Sequence, residues 1–399
     1  MNSIRIYKKW WFYFVIWIAS SLALLKIDGI FKIIPFIYIW LYLFLFCIFC
    51  AYFAKKESYK LALCYFSVLP FVLGAGEVIA YFKRPLDSNC IAQTSGEYTK
   101  DYFISDSILG YKGRPNTKVD SKKIINERLI YDVVYSMDAS SLRITPNSNE
   151  NSNQCLLFFG DSFTIGEGLN DNETLPFYLN EALGAKFRVY NFGFHGYGPH
   201  QALALLKSGV IKDKLSPCIK IHSFIEILPD HIKRANSFSP WEDTLAPRFK
   251  LKNGNLIWIN EKKNVFDKLE RRIFLLLKKS FLFESIFKYK YSSRYNALFF
   301  AILEEIDKSL QDSFNSKINL IFFDSNNLSS DLEITQSRDI DEFLKKSKIK
   351  YFLASDIIPS YATNRLSLGL DICDLHPNSR FNKEIALALI SKLRSEFEN

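Results

Sequence analysis

Three side chains have the types and spacing for nucleophilic catalysis. Ser162 lies in Cys155-Leu-Leu-Phe-Phe-Gly160-Asp161-Ser162-Phe-Thr-Ile-Gly166-Glu-Gly168, and Asp374 and His376 lie in Asp371-Ile-Cys-Asp374-Leu-His376-Pro377-Asn378. A serine hydroxyl is a weak nucleophile near neutral pH, so it needs a base within hydrogen-bond reach, and that base needs an orienting carboxylate. An aspartate two residues before a histidine supplies both. Taken alone, Gly-Asp-Ser is equally compatible with an ordinary turn, and Asp374 with the cap of the helix that follows it. The apolar run before Gly160 favours a buried strand that turns sharply and presents Ser162 at the carboxyl edge of a sheet, where open α/β sheets bind ligands. A helix starting just after Ser162 would aim backbone N–H groups at negative charge developing beside the hydroxyl.

Those residues must be held by a regular frame, and the sequence supplies one. Strand-length apolar runs occur at 155–159, 187–192, 219–227, 318–323 and 350–353. Helical patterns alternate with them at 174–183, 199–206, 295–309, 339–346 and 382–397. Such alternation predicts a parallel sheet with helices on both faces. Residues 85–153 read as a polar connector followed by a short accessory β segment, with alternation near Leu109 to Pro115 and Leu129 to Tyr135. The polar stretch Pro146 to Asn153 reads as a surface loop. Residues 235–294 interrupt the rhythm as an insertion. Its basic, apolar part from Val265 to Lys290 fits either a helix lying on a membrane or one packed on the sheet.

Together the catalytic stretches resemble the SGNH/GDSL hydrolase family over residues 154–398. Gly160-Asp161-Ser162 resembles the block that carries the nucleophile. Tyr190-Asn191-Phe-Gly193-Phe-His195-Gly196 resembles the block whose glycine N–H helps to form the oxyanion hole; Gly196 is the better positional match and Gly193 the second. Asp374-Leu-His376 resembles the final block, although many members carry their Asp three residues before the His, where this chain has Cys373; Asp371 is the alternative acid. The block that usually offers an oxyanion-binding Asn reads Glu226-Ile-Leu-Pro229-Asp230-His231-Ile-Lys-Arg234, and Pro229 has no donor. His231 is the expected substitute. The resemblance implies a flavodoxin-like three-layer α/β/α domain at 154–399 that hydrolyses or transfers an ester-linked acyl group. It assigns Ser162, Asp374 and His376 to catalysis and Ser162, Gly196 and His231 to the oxyanion. Asp161, Asn191, His195, Asp230 and Arg234 are expected around the substrate, and no metal or organic cofactor is required.

Charge and hydropathy locate the protein. Residues 1–84 hold ten Lys/Arg against three Asp/Glu, whereas the remaining 41 bases and 39 acids nearly balance. The basic character belongs to the first region and gives no support for nucleic-acid binding. Apolar runs at 10–25, 33–54 and 61–82 predict three transmembrane helices, the first short for a span of ~20 residues. No small-x-small site follows it, which disfavours a cleaved signal peptide. Arg5, Lys8 and Lys9 before the first run, with Lys55, Lys56 and Lys60 between the second and third, belong in the cytoplasm by the positive-inside rule. The catalytic region is then extracytoplasmic, on a multi-pass protein of the cytoplasmic membrane. Two spans would reverse this. Four cysteines, Cys90, Cys155, Cys218 and Cys373, fall in that region and permit disulfides in an oxidising compartment. Cys47-x-x-Cys50 reads as packing inside a span. Glu77, near the end of the third run, is either functional or reaching for headgroups. The expected substrate is an acylated glycan or lipid of the envelope. A membrane acyltransferase partner is the alternative setting, and a catalytically silent protein of the same fold is the rival from another class.

Overall fold

The computed structural model describes residues 35–83, 90–237, 246–259 and 295–398, with part of 273–286. The chain forms two compact units: Met1–Asp87 with Val265–Lys290, and Ser88–Asn264 with Tyr291–Asn399.

In the first unit, helices Pro35–Phe53 and Glu57–Lys83 are apolar enough, and long enough, to cross a membrane. At 1.5 Å per residue they run about 28 and 40 Å, against a hydrocarbon core of about 30 Å. They match the second and third expected spans. The first, Trp10 to Leu25, lies outside the described residues.

The second unit contains a parallel five-stranded sheet. An antiparallel sheet of β1 (Ala92–Ser95), β4 (Lys118–Ile125) and β5 (Arg128–Ser136), and a hairpin of β2 (Phe103–Asp106) and β3 (Gly110–Gly113), precede it. The main sheet comprises β6 (Gln154–Phe159), β7 (Arg188–Asn191), β8 (Lys220–Ile227), β11 (Ile318–Phe322) and β12 (Lys350–Leu353), in the order β12-β11-β8-β6-β7. All its pairings are parallel. Counted along the chain this is the 2-1-3-4-5 order of flavodoxin-like folds, whose ligand crevice opens where the winding reverses, beside the first strand. That strand is β6, which ends at the residue before Gly160.

Both faces of the sheet are covered, so its strands are buried throughout rather than alternating with polar residues. Leu157 and Phe159 pack with helices Pro199–Ser208 and Asn296–Phe314, while Leu156 and Phe158 pack with helices Leu175–Ala182 and Ser379–Glu398. The insertion holds a hairpin of β9 (Arg248–Lys252) and β10 (Asn255–Ile259). A third small hairpin, β13 (Gly369–Asp371) with β14 (Asp374–Pro377), carries Asp374 and His376.

Candidate active site

The turn after β6 sets Ser162, the candidate nucleophile. Gly160 has φ +153°, and a Cβ there would sit 2.0 Å from Thr164 Oγ1, so any larger residue would force the turn apart. Asp161 caps the short helix Ser162–Ile165 by accepting from the Phe163 N–H at 3.0 Å. Its other oxygen accepts from Arg234 Nη1 at 2.7 Å and lies 3.1 Å from His231 Nε2. Burial alone would raise the Asp161 carboxyl, but Arg234 and His231 together hold it well below the usual range. It is a fixed anion behind the serine.

From the other side comes the β13-β14 hairpin. His376 Nε2 is 2.9 Å from Ser162 Oγ, and His376 Nδ1 is 2.5 Å from Asp374 Oδ1. With Asp374 ionised, Nδ1–H donates to it and Nε2 is left to accept from the serine, the tautomer that general-base catalysis needs. The alternative acid Asp371 is turned away. It pairs with Arg128 at 3.0 Å and accepts from the Cys373 N–H within its own turn. The hairpin is pinned three ways: by a Cys90–Cys373 disulfide, by Arg365 donating to the Leu375 carbonyl, and by Asn378 Nδ2 donating to the Gly369 carbonyl at 2.9 Å. A second disulfide, Cys155–Cys218, links the start of β6 to the approach to β8.

Around the histidine lies a charged cluster that the sequence reading missed. Lys123, from β4, reaches Asp374 Oδ2 at 2.7 Å and Glu167 Oε1 at 3.4 Å. Glu167 Oε2 is 3.5 Å from His376 Nε2 and 2.8 Å from His195 Nδ1, and Tyr98 donates to it at 3.2 Å. Burial lowers the tendency of His376 to hold a proton, but Glu167 and Asp374 outweigh it and push its pKa up to about 9. Glu167, though buried, is kept ionised by His376, His195 and Lys123. Glu167, Asp374 and His376 offer ligand-type atoms within 4.8 Å of one another. The ammonium of Lys123 already supplies a cation to both carboxylates. Arg143, also missed, is buried and ties the end of the nucleophile turn by donating to the carbonyls of Ile165, Gly166 and Leu169.

Several expected site residues are committed elsewhere. His231 is fully buried with Nε2 on Asp161, so the substitute oxyanion donor is turned instead onto the residue behind the serine. Asn191 donates to the Thr164 carbonyl and accepts from the Gly193 N–H, stapling the glycine loop to the nucleophile turn rather than facing a substrate. His195 is sandwiched between Glu167 and the Tyr102 hydroxyl, both its nitrogens occupied. Arg234 bridges Asp161, Asp230 and the Tyr197 carbonyl. Of the five residues expected around the substrate, Asp230 is the one with a substantially exposed side chain, and it is paired with Arg234 and Lys233. Of the two candidate glycines, Gly193 has its N–H on Asn191, whereas among the described residues no hydrogen bond takes the Gly196 N–H. Gly196 also needs its residue type, at φ +71°.

No family model matches the chain, and no curated protein matches it. Solved structures do. A G-D-S-L family lipolytic protein from Veillonella parvula is 9% identical, over 60% of this chain and 97% of that one, with a TM-score of 0.36. The structure described as TesA is 13% identical over 61% and 99%, at 0.37. The acetylxylan esterase Axe2 from Geobacillus stearothermophilus, solved as a catalytic mutant, is 14% identical over 61% and 95%, at 0.36.

Proposed function

We propose that this chain is a serine hydrolase of the SGNH/GDSL type, an esterase anchored in the cytoplasmic membrane that removes an acyl group from an envelope glycan or lipid. The observation that carries the proposal is the hydrogen-bonded chain Ser162–His376–Asp374 at the carboxyl edge of the sheet, beside the reversal in strand order. Ser162 attacks the acyl carbonyl while His376 takes its proton. His376 then returns a proton to the leaving alcohol, and water repeats the sequence to free the acid. Asp374, itself fixed by Lys123, keeps the imidazole in the productive tautomer. The backbone N–H groups of Ser162 and Gly196 receive the oxyanion. The two apolar helices support the anchor. Two disulfides in the catalytic unit support an oxidising compartment, as the charge pattern does.

A fluorophosphonate tests the site, because it needs the same attack and leaves negative oxygen in the same hole. The full-length protein should be labelled at Ser162, and Ser162→Ala should abolish both labelling and ester turnover. Labelling that survives in Ser162→Ala would overturn the assignment. Mass analysis of envelope glycans and lipids from cells with and without the protein then identifies the reaction. An acyl group gained when the protein is absent marks hydrolysis, and one lost marks transfer to an acceptor other than water.

A further inference from the structure

Glu77 is an ionisable residue within an apolar helix, and the catalytic site makes no use of it. It lies five residues before Phe82, about 7.5 Å along the axis at 1.5 Å per residue, and its side chain is buried. A carboxylate at that depth is costly unless it is well supplied with donors. Three are present, and all come from the insertion. The Ser280 hydroxyl donates to Oε1, and the Phe281 and Leu282 N–H groups donate to Oε2 at 2.8 and 3.2 Å. Ser280 Oγ in turn accepts from the Phe283 N–H at 2.9 Å, so Ser280 starts a helical turn whose first N–H groups would otherwise lack partners. Packing agrees with the hydrogen bonds. Gly76 has no side chain where Leu282 approaches, since a Cβ there would meet Leu282 Cδ2 at 2.9 Å, and Phe281 lies edge-on against Tyr81 at 5.3 Å.

Among the described residues of this segment, the exposed ones are Ile273, Leu276, Lys279, Ser285 and Ile286. Ile273, Leu276 and Ile286 are about half exposed, like the outward residues of the two long helices. Lys278, Lys279, Lys288 and Lys290 neighbour them in sequence, residue types that suit a surface of anionic headgroups. We infer that the chain returns to the bilayer around Ser280, held against the helix Glu57–Lys83 by Glu77, and presents Leu276 and Ile286 to lipid. The inference rests on the membrane anchor proposed above. The occupant of the surface is lipid because the segment belongs to the same unit as the anchor helices and packs on one of them at Gly76, Glu77 and Tyr81.

Photocrosslinking in the full-length protein, reconstituted into vesicles of phosphatidylethanolamine and phosphatidylglycerol, separates the possibilities. Benzoylphenylalanine is placed singly at Ile286, Leu276, Val72 on the anchor helix, and Ile219 on the catalytic unit, the last two being 56% and 82% exposed. Covalent lipid adducts are expected at Ile286, Leu276 and Val72, with none at Ile219. Adducts at Val72 without any at Ile286 and Leu276 would overturn this inference and leave the anchor standing. Absence at Val72 would remove the anchor and the inference with it. Glu77→Ala removes the acceptor of three hydrogen bonds, so the yield at Ile286 should fall by about fivefold or more while Val72 is unchanged. Glu77→Gln, which keeps an acceptor oxygen, should fall between. Fluorophosphonate labelling of Ser162 confirms that each variant is folded, and an unchanged yield at Ile286 in Glu77→Ala would show that Glu77 does not hold the segment.

Discussion

His376 lies between two carboxylates, Asp374 on Nδ1 and Glu167 beside Nε2, and one lysine touches both of them. The other groups facing the ring are the Ser162 hydroxyl and the edge-on ring of Phe163. A base must be unprotonated to accept the serine proton, so with His376 raised to about 9 the proposed hydrolase should gain activity towards alkaline pH. The same carboxylates stabilise the imidazolium once it has formed. Replacing Glu167 with Gln removes the largest upward electrostatic influence on His376. The acidic limb of the kcat/KM profile should then shift to lower pH by about one unit or more, the scale of an opposite charge at this distance. A general loosening of the fold would lower kcat without moving that midpoint, so the profile distinguishes the two. Within the triad itself, Ser162→Ala combined with His376→Ala should be little worse than either change alone, because the two residues serve one step. Losses that multiply independently would argue against the shared step.

At the scale of elements, the unusual strand is β8, because it carries a buried acid towards the nucleophile turn. Glu226 is fully enclosed, and burial, reinforced by the Asp161 carboxylate, raises its pKa to about 8. In the unfolded chain it would ionise near 4.5. Between those values the folded state binds the extra proton, so stability falls with rising pH, by up to about 1.4 kcal/mol per unit; the contribution is intact below 4.5 and gone above about 8. Glu226→Gln cannot ionise, so denaturant unfolding should show a shallower pH slope across that window, and identical slopes would mean that Glu226 is charged in the folded protein. The core strands were legible in the sequence because burial on both faces makes them continuous apolar runs: Lys350–Leu353 falls where the pattern places it, and the other four within a residue or two at either end. Strand β4, Lys-Val-Asp-Ser-Lys-Lys-Ile-Ile, was not legible, since the residues it buries include Ser121 and its lysines mask the alternation. The β13-β14 hairpin has strands of three and four residues, too short for any period to emerge. At the candidate site, Ser162, Gly196, Asp374 and His376 belong to compact local motifs, which is why the sequence offers them as candidates. Lys123 could not, because its partner Asp374 is 251 residues away and nothing local marks it. The hydrogen bonds that turn His231, Asn191 and His195 away from the expected substrate side share a physical reason. A polar residue beside a catalytic motif serves as well to fix the turn from behind as to face the substrate, and sequence order does not distinguish the two sides.

For the whole molecule, the parity of membrane crossings decides which compartment holds the chemistry. Helices Pro35–Phe53 and Glu57–Lys83 are joined by a short turn containing Lys55 and Lys56, with Lys60 in the first turn of the second helix and Lys83 at its far end. With the proposed anchor, the positive-inside rule would put these three lysines in the cytoplasm and the catalytic unit outside it. Arg5, Lys8 and Lys9 agree with that placement if Trp10 to Leu25 is a third crossing. The cysteines supply an argument independent of lysine counts. Cys90–Cys373 braces the hairpin that carries Asp374 and His376, and Cys155–Cys218 braces the strand that leads to Ser162. In the cytoplasm both pairs would be held as thiols. A reporter enzyme that is active only outside the cytoplasm should therefore work when fused after Phe82 or at the C-terminus, and be silent when fused after Lys56. In the native protein, thiol alkylation before reduction should leave those four cysteines unmodified while Cys47, Cys50 and Cys64 stay reduced. The opposite reporter pattern, with all seven cysteines alkylated, would place the hydrolase inside the cell and remove the envelope substrate from the proposal, while leaving Ser162 and its fluorophosphonate test untouched.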